Sequence, residues 1–102
     1  MDQKALILDI AMNFTRLGNW VADDFPQKRE RIDIFLKETD ELLNELKVNS
    51  LPGELKIAVV SAKKMLQKFQ TNQDSVADDP LRWAESLLTW GNILTHRAKL
   101  LA

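Results

Sequence analysis

Apolar residues recur along this chain at intervals of three and four, in four stretches whose breaks fall close to Pro26, Pro52 and Pro80. That spacing places side chains on one face of an α-helix. In the first stretch Ile7, Ile10, Phe14, Leu17 and Val21 form the face. Leu6, Ala11 and Trp20 widen it into the broad stripe of a globular helix rather than a coiled-coil seam. The pattern predicts a helix over residues 2–22. Asp23-Asp24-Phe25-Pro26 interrupts it, because proline suits a first helical turn but not a helix interior. Asp24 and Gln27 have capping-box spacing, so a second helix is predicted over 26–47, with Ile32, Phe35, Leu36, Thr39, Leu42, Leu43 and Leu46 inward.

Asn49-Ser50-Leu51-Pro52-Gly53 is a cluster of turn formers. A third helix follows over 53–70, turning Leu55, Ala58, Val59, Ala62, Leu66 and Phe69 inward with Met65 beside them. The polar segment 71–78 reads as the longest connection. Asp79-Pro80 reads as a cap and first residue of a fourth helix over 80–100, which buries Ala84, Leu87, Leu88, Gly91, Leu94, Ala98 and Leu101. No alternation of apolar and polar residues suggests a strand. Four amphipathic helices on short loops predict an all-α fold of one domain, an up-down-up-down antiparallel four-helix bundle with more than about 70% of its residues helical. In that bundle the first and last helices are neighbours, so Trp20 and Trp83 should lie close together. Gly18 and Gly91 stand inside helices, where glycine costs about 1 kcal/mol relative to alanine. A closely approaching backbone or ring would explain both.

The chain also repeats itself faintly. Val21-Ala22-Asp23-Asp24 returns as Val76-Ala77-Asp78-Asp79, and the same offset carries Phe14 onto Phe69 and Glu30 onto Glu85. A duplicated helical hairpin would produce this echo, and so would two helix starts obeying one capping chemistry, which favours acidic residues there anyway.

Composition then removes whole classes of chemistry. Cysteine is absent, which excludes disulfides, thiolate metal sites and a cysteine nucleophile. Apolar residues at 45% and charged residues at 28% make an ordinary globular balance. A net charge of −1 argues against a nucleic-acid partner, and Asp9 cuts the run Ala5-Leu6-Ile7-Leu8 short of any signal or membrane segment. A cytoplasmic protein without a membrane partner is expected. His96 is the only histidine, so metal sites with two histidines are excluded. The serines lack an activating motif, and no phosphate loop exists. Glu38, Asp40, Glu41 and Glu45 read as solvated surface. No catalytic residue, cofactor or metal is expected, and the chain reads as a non-enzyme.

Two features remain. His96 and Lys99 share the spacing of the phosphoaccepting histidine and its lysine in histidine phosphotransfer domains, which are also four-helix bundles. Those domains carry the histidine in a central helix followed by Lys-Gly, whereas Leu100 follows Lys99 and His96 sits in the last predicted helix. Cations in a last helical turn also complement the helix dipole. The stronger feature is a set of apolar residues outside the core stripes: Leu8 and Met12, Ile34, Ile57 and Val60, and the pair Trp83 and Trp90. Together they point to a protein partner or to self-association as a homodimer, and to an interaction or assembly module. Leu8 and Met12 should join the Trp83/Trp90 edge, with Ile57 and Val60 on another side. A hydrophobic-ligand carrier, with Trp20, Trp83 and Trp90 around the opening, is a further alternative. Lys28, Arg29 and Arg31 against the acidic end of the second helix, with Lys56, Lys63, Lys64 and Lys68 on the third, predict either cross-helix pairing or a bipolar recognition surface.

Overall fold

The computed structural model describes residues 2–101. The chain is 92% helical, and no strand occurs among the described residues. Helix α1 spans Gln3–Glu45, but Asp24 leaves the helical region inside it (φ −158°, ψ 85°). Forty-three residues of straight helix would measure about 65 Å at 1.5 Å per residue. The whole molecule is only 39 Å in its longest dimension, so α1 must fold back at Asp24. It has two arms, residues 3–23 and 25–45. The predicted break is therefore present, but it is a joint of one residue rather than a loop.

Capping chemistry makes so short a joint possible. The Asp24 carboxylate accepts a hydrogen bond from the Gln27 backbone N–H at 3.3 Å. That satisfies one of the orphan donors at the start of the second arm, while Pro26 has no N–H to satisfy. Asp2 does the same for the first arm, accepting from Ala5 N–H at 2.7 Å. At the open end of the hairpin the Gln3 side chain accepts from Lys47 N–H at 2.8 Å and ties the arm tips together.

A 3-10 turn at Val48–Ser50 leads into α2 (Gly53–Thr71). The segment read as the longest connection is instead a short helix, α3 (Gln73–Asp78), which fully buries Val76. Its single buried side chain is too little periodicity to reveal a helix. Helix α4 (Pro80–Arg97) starts on Asp79, whose carboxylate accepts from Arg82 N–H at 3.4 Å, and ends in a 3-10 turn at Ala98–Leu100.

Contacts between segments join opposite ends. Trp20 packs on Phe35 between the two arms, and Lys63 Nζ donates to Asn44 Oδ1 between α2 and the second arm. Arg97 donates to the Glu54 carbonyl and Phe69 packs on Trp83 between α2 and α4. Between the first arm and α4 two glycines set the separation. A Cβ on Gly18 would stand 2.7 Å from Leu88 Cγ, and one on Gly91 would stand 2.8 Å from Thr15 Oγ1 and 3.1 Å from the Ala11 carbonyl. Helices of ordinary side chains pack 8–10 Å apart. The interior glycines let this pair come closer, which accounts for both of them.

One apolar cluster draws on every segment, with Phe14, Phe69, Ile7, Leu17, Ile32, Leu55, Leu66 and Leu87 inaccessible to solvent or nearly so. Phe35, Leu42, Met65 and Leu101, all expected inward, are only half-buried at its margin. Phe25, Asn13 and Val76 are buried without having been expected. The internal echo also runs deeper than capping. Its offset pairs buried Ile7 with Ala62, Ala11 with Leu66, Val21 with Val76, Ile32 with Leu87, Thr39 with Leu94 and Leu43 with Ala98. Asp79 repeats the extended backbone of Asp24 (φ −142°, ψ 68°) as well as its cap. Elsewhere the two halves differ: buried Asn13, Leu17 and Phe25 fall on Lys68, Asn72 and Pro80, and the helix breaks at Asn72 where the first arm runs on.

Candidate functional site

The two hairpins differ on their outer seams. In the first, Leu6 is buried and Trp20 packs edge-on against Phe35 at 4.9 Å with the Arg31 guanidinium over its other side. At the equivalent places in the second hairpin stand Ser61, Ser75 and Ser86. Three large side chains are thus replaced by three small ones, and a groove of about 510 Å³ lies between α2 and α4 with α3 at one end. That is within the range of natural ligand sites, roughly 300–1,000 Å³. The first hairpin has a more open depression of about 620 Å³ beside Arg31, Ile34 and Phe35. Besides the serines, the α2/α4 groove is lined by Met65, Trp83, Trp90, Lys64, Lys68, Arg82 and Asp79.

The two indoles are held differently. Trp83 lies edge-on to buried Phe69 at 5.8 Å, and its Nε1–H donates to Ser75 Oγ at 3.4 Å. Ring and polar tip are both satisfied, so Trp83 is a fixed wall. Trp90 is two turns further along α4 and half-buried against the core, leaving part of its ring open to the groove. Charge in the groove is one-sided. Three cations face one carboxylate, and that carboxylate is engaged in capping α4. The only ion pair among the described residues is Lys28–Asp23 at 2.8 Å, across the α1 joint. Lys64, Lys68 and Arg82 therefore have no carboxylate within pairing distance among the described residues. The expected pairing between α2 lysines and the acidic second arm does not form there; the contact made is Lys63 with the neutral amide of Asn44.

Trp83 and Trp90 thus share one site, and the rest of the expected grouping is rearranged. Ile57 and Val60 lie one helical turn before Ser61 and Lys64 on α2, so they extend the groove's apolar margin; Ile57 is 68% exposed. Leu8 and Met12 do not join the tryptophan edge. Gly91 turns one flank of α4 toward the first arm, and the tryptophans occupy the other flank. Leu8 lies instead in a shallow depression with Gln3, Lys4 and Leu101, and Met12 is exposed one turn further on. Gly18 packs against Ala84 and Leu88, which brings the stretch that carries Trp20 against the start of α4, but the two rings face different partners, Phe35 for Trp20 and Phe69 for Trp83. The groove is lined by Trp83 and Trp90 and not by Trp20. His96 is exposed in the last turn of α4, and Lys99 falls in the 3-10 turn beyond the helix.

The sequence pattern did not single out the serines or Arg82. Aligning the two echoes would have revealed them, since Leu6, Trp20 and Arg31 fall on Ser61, Ser75 and Ser86. Among the described residues no group of three or more histidine or acidic side chains is arranged to hold a metal ion, and no helix is long and apolar enough to cross a membrane. No family model, curated protein or solved structure matches this chain.

Proposed function

We propose that this bundle is a non-catalytic, cytoplasmic protein-interaction module whose docking surface is the α2/α4 side. The observation that carries the proposal is the meeting of Trp83, Trp90 and Met65 in one groove, none of them sealed in the core, with exposed Ile57 and Val60 one turn away along α2. Interfaces concentrate their energy in aromatic anchors at a desolvated centre, surrounded by residues that mainly exclude water. Trp90 suits the anchor role, because its neighbour Trp83 is already immobilised by Phe69 and Ser75. A wall that is ordered beforehand lowers the entropic cost of docking.

The test compares affinity capture by the native protein with capture by Trp90→Glu and Ile57→Glu, after circular dichroism has shown equal helix content. Loss of the same partner with both variants is the expected result. Capture that ignores both would defeat the proposal. Sedimentation across a range of concentrations separates a foreign partner from a second copy.

A further inference from the structure

The groove has a charge that its surroundings do not require. The chain as a whole carries a net charge of −1, yet Lys64, Lys68 and Arg82 converge on one cleft where Asp79 alone opposes them. None of the three is paired with a carboxylate among the described residues. All are exposed and do not hold the fold together. Cations so placed attract an anionic partner and fix its orientation more than they add raw affinity.

Shape narrows the occupant further. The cleft lies along two antiparallel helices, from Ser61 to Lys68 on one side and from Arg82 to Trp90 on the other. A third helix laid against two others packs its ridges into such a cleft.

We infer that the groove between α2 and α4 receives an acidic amphipathic helix of a partner protein. Its apolar face rests on Trp83, Trp90 and Met65, and flanking carboxylates meet Lys64, Lys68 and Arg82. This rests on the interaction-module reading and names the partner's chemistry. A second copy of this chain fits less well. Its own acidic ridge, Glu38, Glu41 and Glu45, is exposed on the second arm of α1, which lines no part of the groove. A copy docking that ridge into its neighbour's groove makes a head-to-tail contact, which builds rings or open chains of molecules rather than a simple two-fold dimer.

The experiment uses the whole protein and two designed peptides of about sixteen residues with one shared leucine face. One is flanked by glutamates and the other by lysines. Tryptophan fluorescence follows binding, since neither peptide contains tryptophan. The glutamate peptide should bind at least about tenfold more tightly than the lysine peptide. The gap should close between about 0.1 M and about 1 M salt, as the Debye length falls from about 10 Å to about 3 Å. Combining Lys64→Glu with Lys68→Glu should reverse the preference, and Lys64→Gln with Lys68→Gln should erase it. Equal binding of both peptides, no binding of either, or a preference that survives charge reversal would each overturn the inference. Equal binding that still requires Trp90 would leave the interaction module standing without its acidic partner. Capture that ignores Trp90→Glu would remove the module itself, whatever the peptides do.

Discussion

In the first hairpin the Trp20 ring packs on Phe35 under the Arg31 guanidinium; in the second, serines stand at the places of Trp20 and Arg31 and a groove runs between α2 and α4. The inner faces of the same two hairpins share a set of buried positions, from Ile7 and Ala62 to Leu43 and Ala98, although buried Leu17 and Phe25 fall on Asn72 and Pro80. Agreement inside and divergence outside have different physical causes. Core positions are held by packing, where a lost methylene is felt across the interior. Seam positions at the rim can trade apolar volume for small polar groups at little cost to folding, and there a surface becomes available for recognition. The joints follow the core rather than the seam, since Asp24 and Asp79 have the same backbone shape and the same capping bond.

The equivalence of the two cores is the first part of the comparison to attack, and it carries the largest expected effect. Phe14 and Phe69 occupy matching sites and are both fully buried. Phe14→Ala and Phe69→Ala should each destabilise by about 3–5 kcal/mol in urea unfolding. A loss at one site several times that at the other would mean that the two hairpins are not energetically equivalent. Leu42→Ala should cost clearly less than Leu87→Ala, because Leu42 lies at the margin whereas Leu87 is inaccessible.

A smaller effect tests what holds the hairpins together. Gly91→Ala would gain about 1 kcal/mol of helix propensity if the site were free. Its new methyl meets Thr15 Oγ1 and the Ala11 carbonyl instead. Overpacking of that kind typically costs about 1–3 kcal/mol. A net loss of about 1–2 kcal/mol in thermal or urea unfolding is expected, and Thr15→Ala in the same protein should recover part of it. A stabilised single variant would show that the two helices can separate freely.

The seams themselves are compared by making the second resemble the first. Ser61→Leu places at the groove the residue that Leu6 supplies in the other hairpin. Each methylene that becomes buried contributes about 0.8 kcal/mol, and Ser61 is only partly covered, so a gain of about 1 kcal/mol is expected. The same substitution should abolish binding of the acidic peptide. A variant that is more stable but still binds would separate the cavity from the function assigned to it.

The helices, the inward faces and the joint at Asp24 were legible because periodicity and capping act locally, over three or four residues. The explanation of Gly18 and Gly91 was legible for a related reason, since an interior glycine carries a cost that packing must offset. Helix α3 was not, because only Val76 marks it as buried. The site was half legible. Trp83, Trp90, Ile57 and Val60 stood out as apolar residues off the stripe, but helical phase alone does not say which neighbour each flank of a helix meets. Leu8 and Met12 were therefore assigned to the wrong edge of α4. Lys64, Lys68 and Arg82 become a cluster only when α2 and α4 are brought side by side, and the serines gain meaning only beside Leu6, Trp20 and Arg31.

The smallest effect is expected at His96, and it sets the interaction module against the phosphotransfer alternative. His96 and its counterpart Glu41 are both exposed, on faces that contribute nothing to the core. The α-helix ends at Arg97 and Lys99 lies in the 3-10 turn beyond it, where residues three apart come to one side. No side-chain hydrogen bond or ion pair is made by His96 or Lys99 among the described residues. His96→Gln should change stability by less than about 0.5 kcal/mol, as expected of a surface position outside any network. Incubation with a small phosphodonor should leave the native protein unlabelled by phosphorus NMR, and peptide binding at the α2/α4 groove should be the same in both proteins. An acid-labile phosphorus signal that disappears with His96→Gln would transfer the function from the seam to the end of α4.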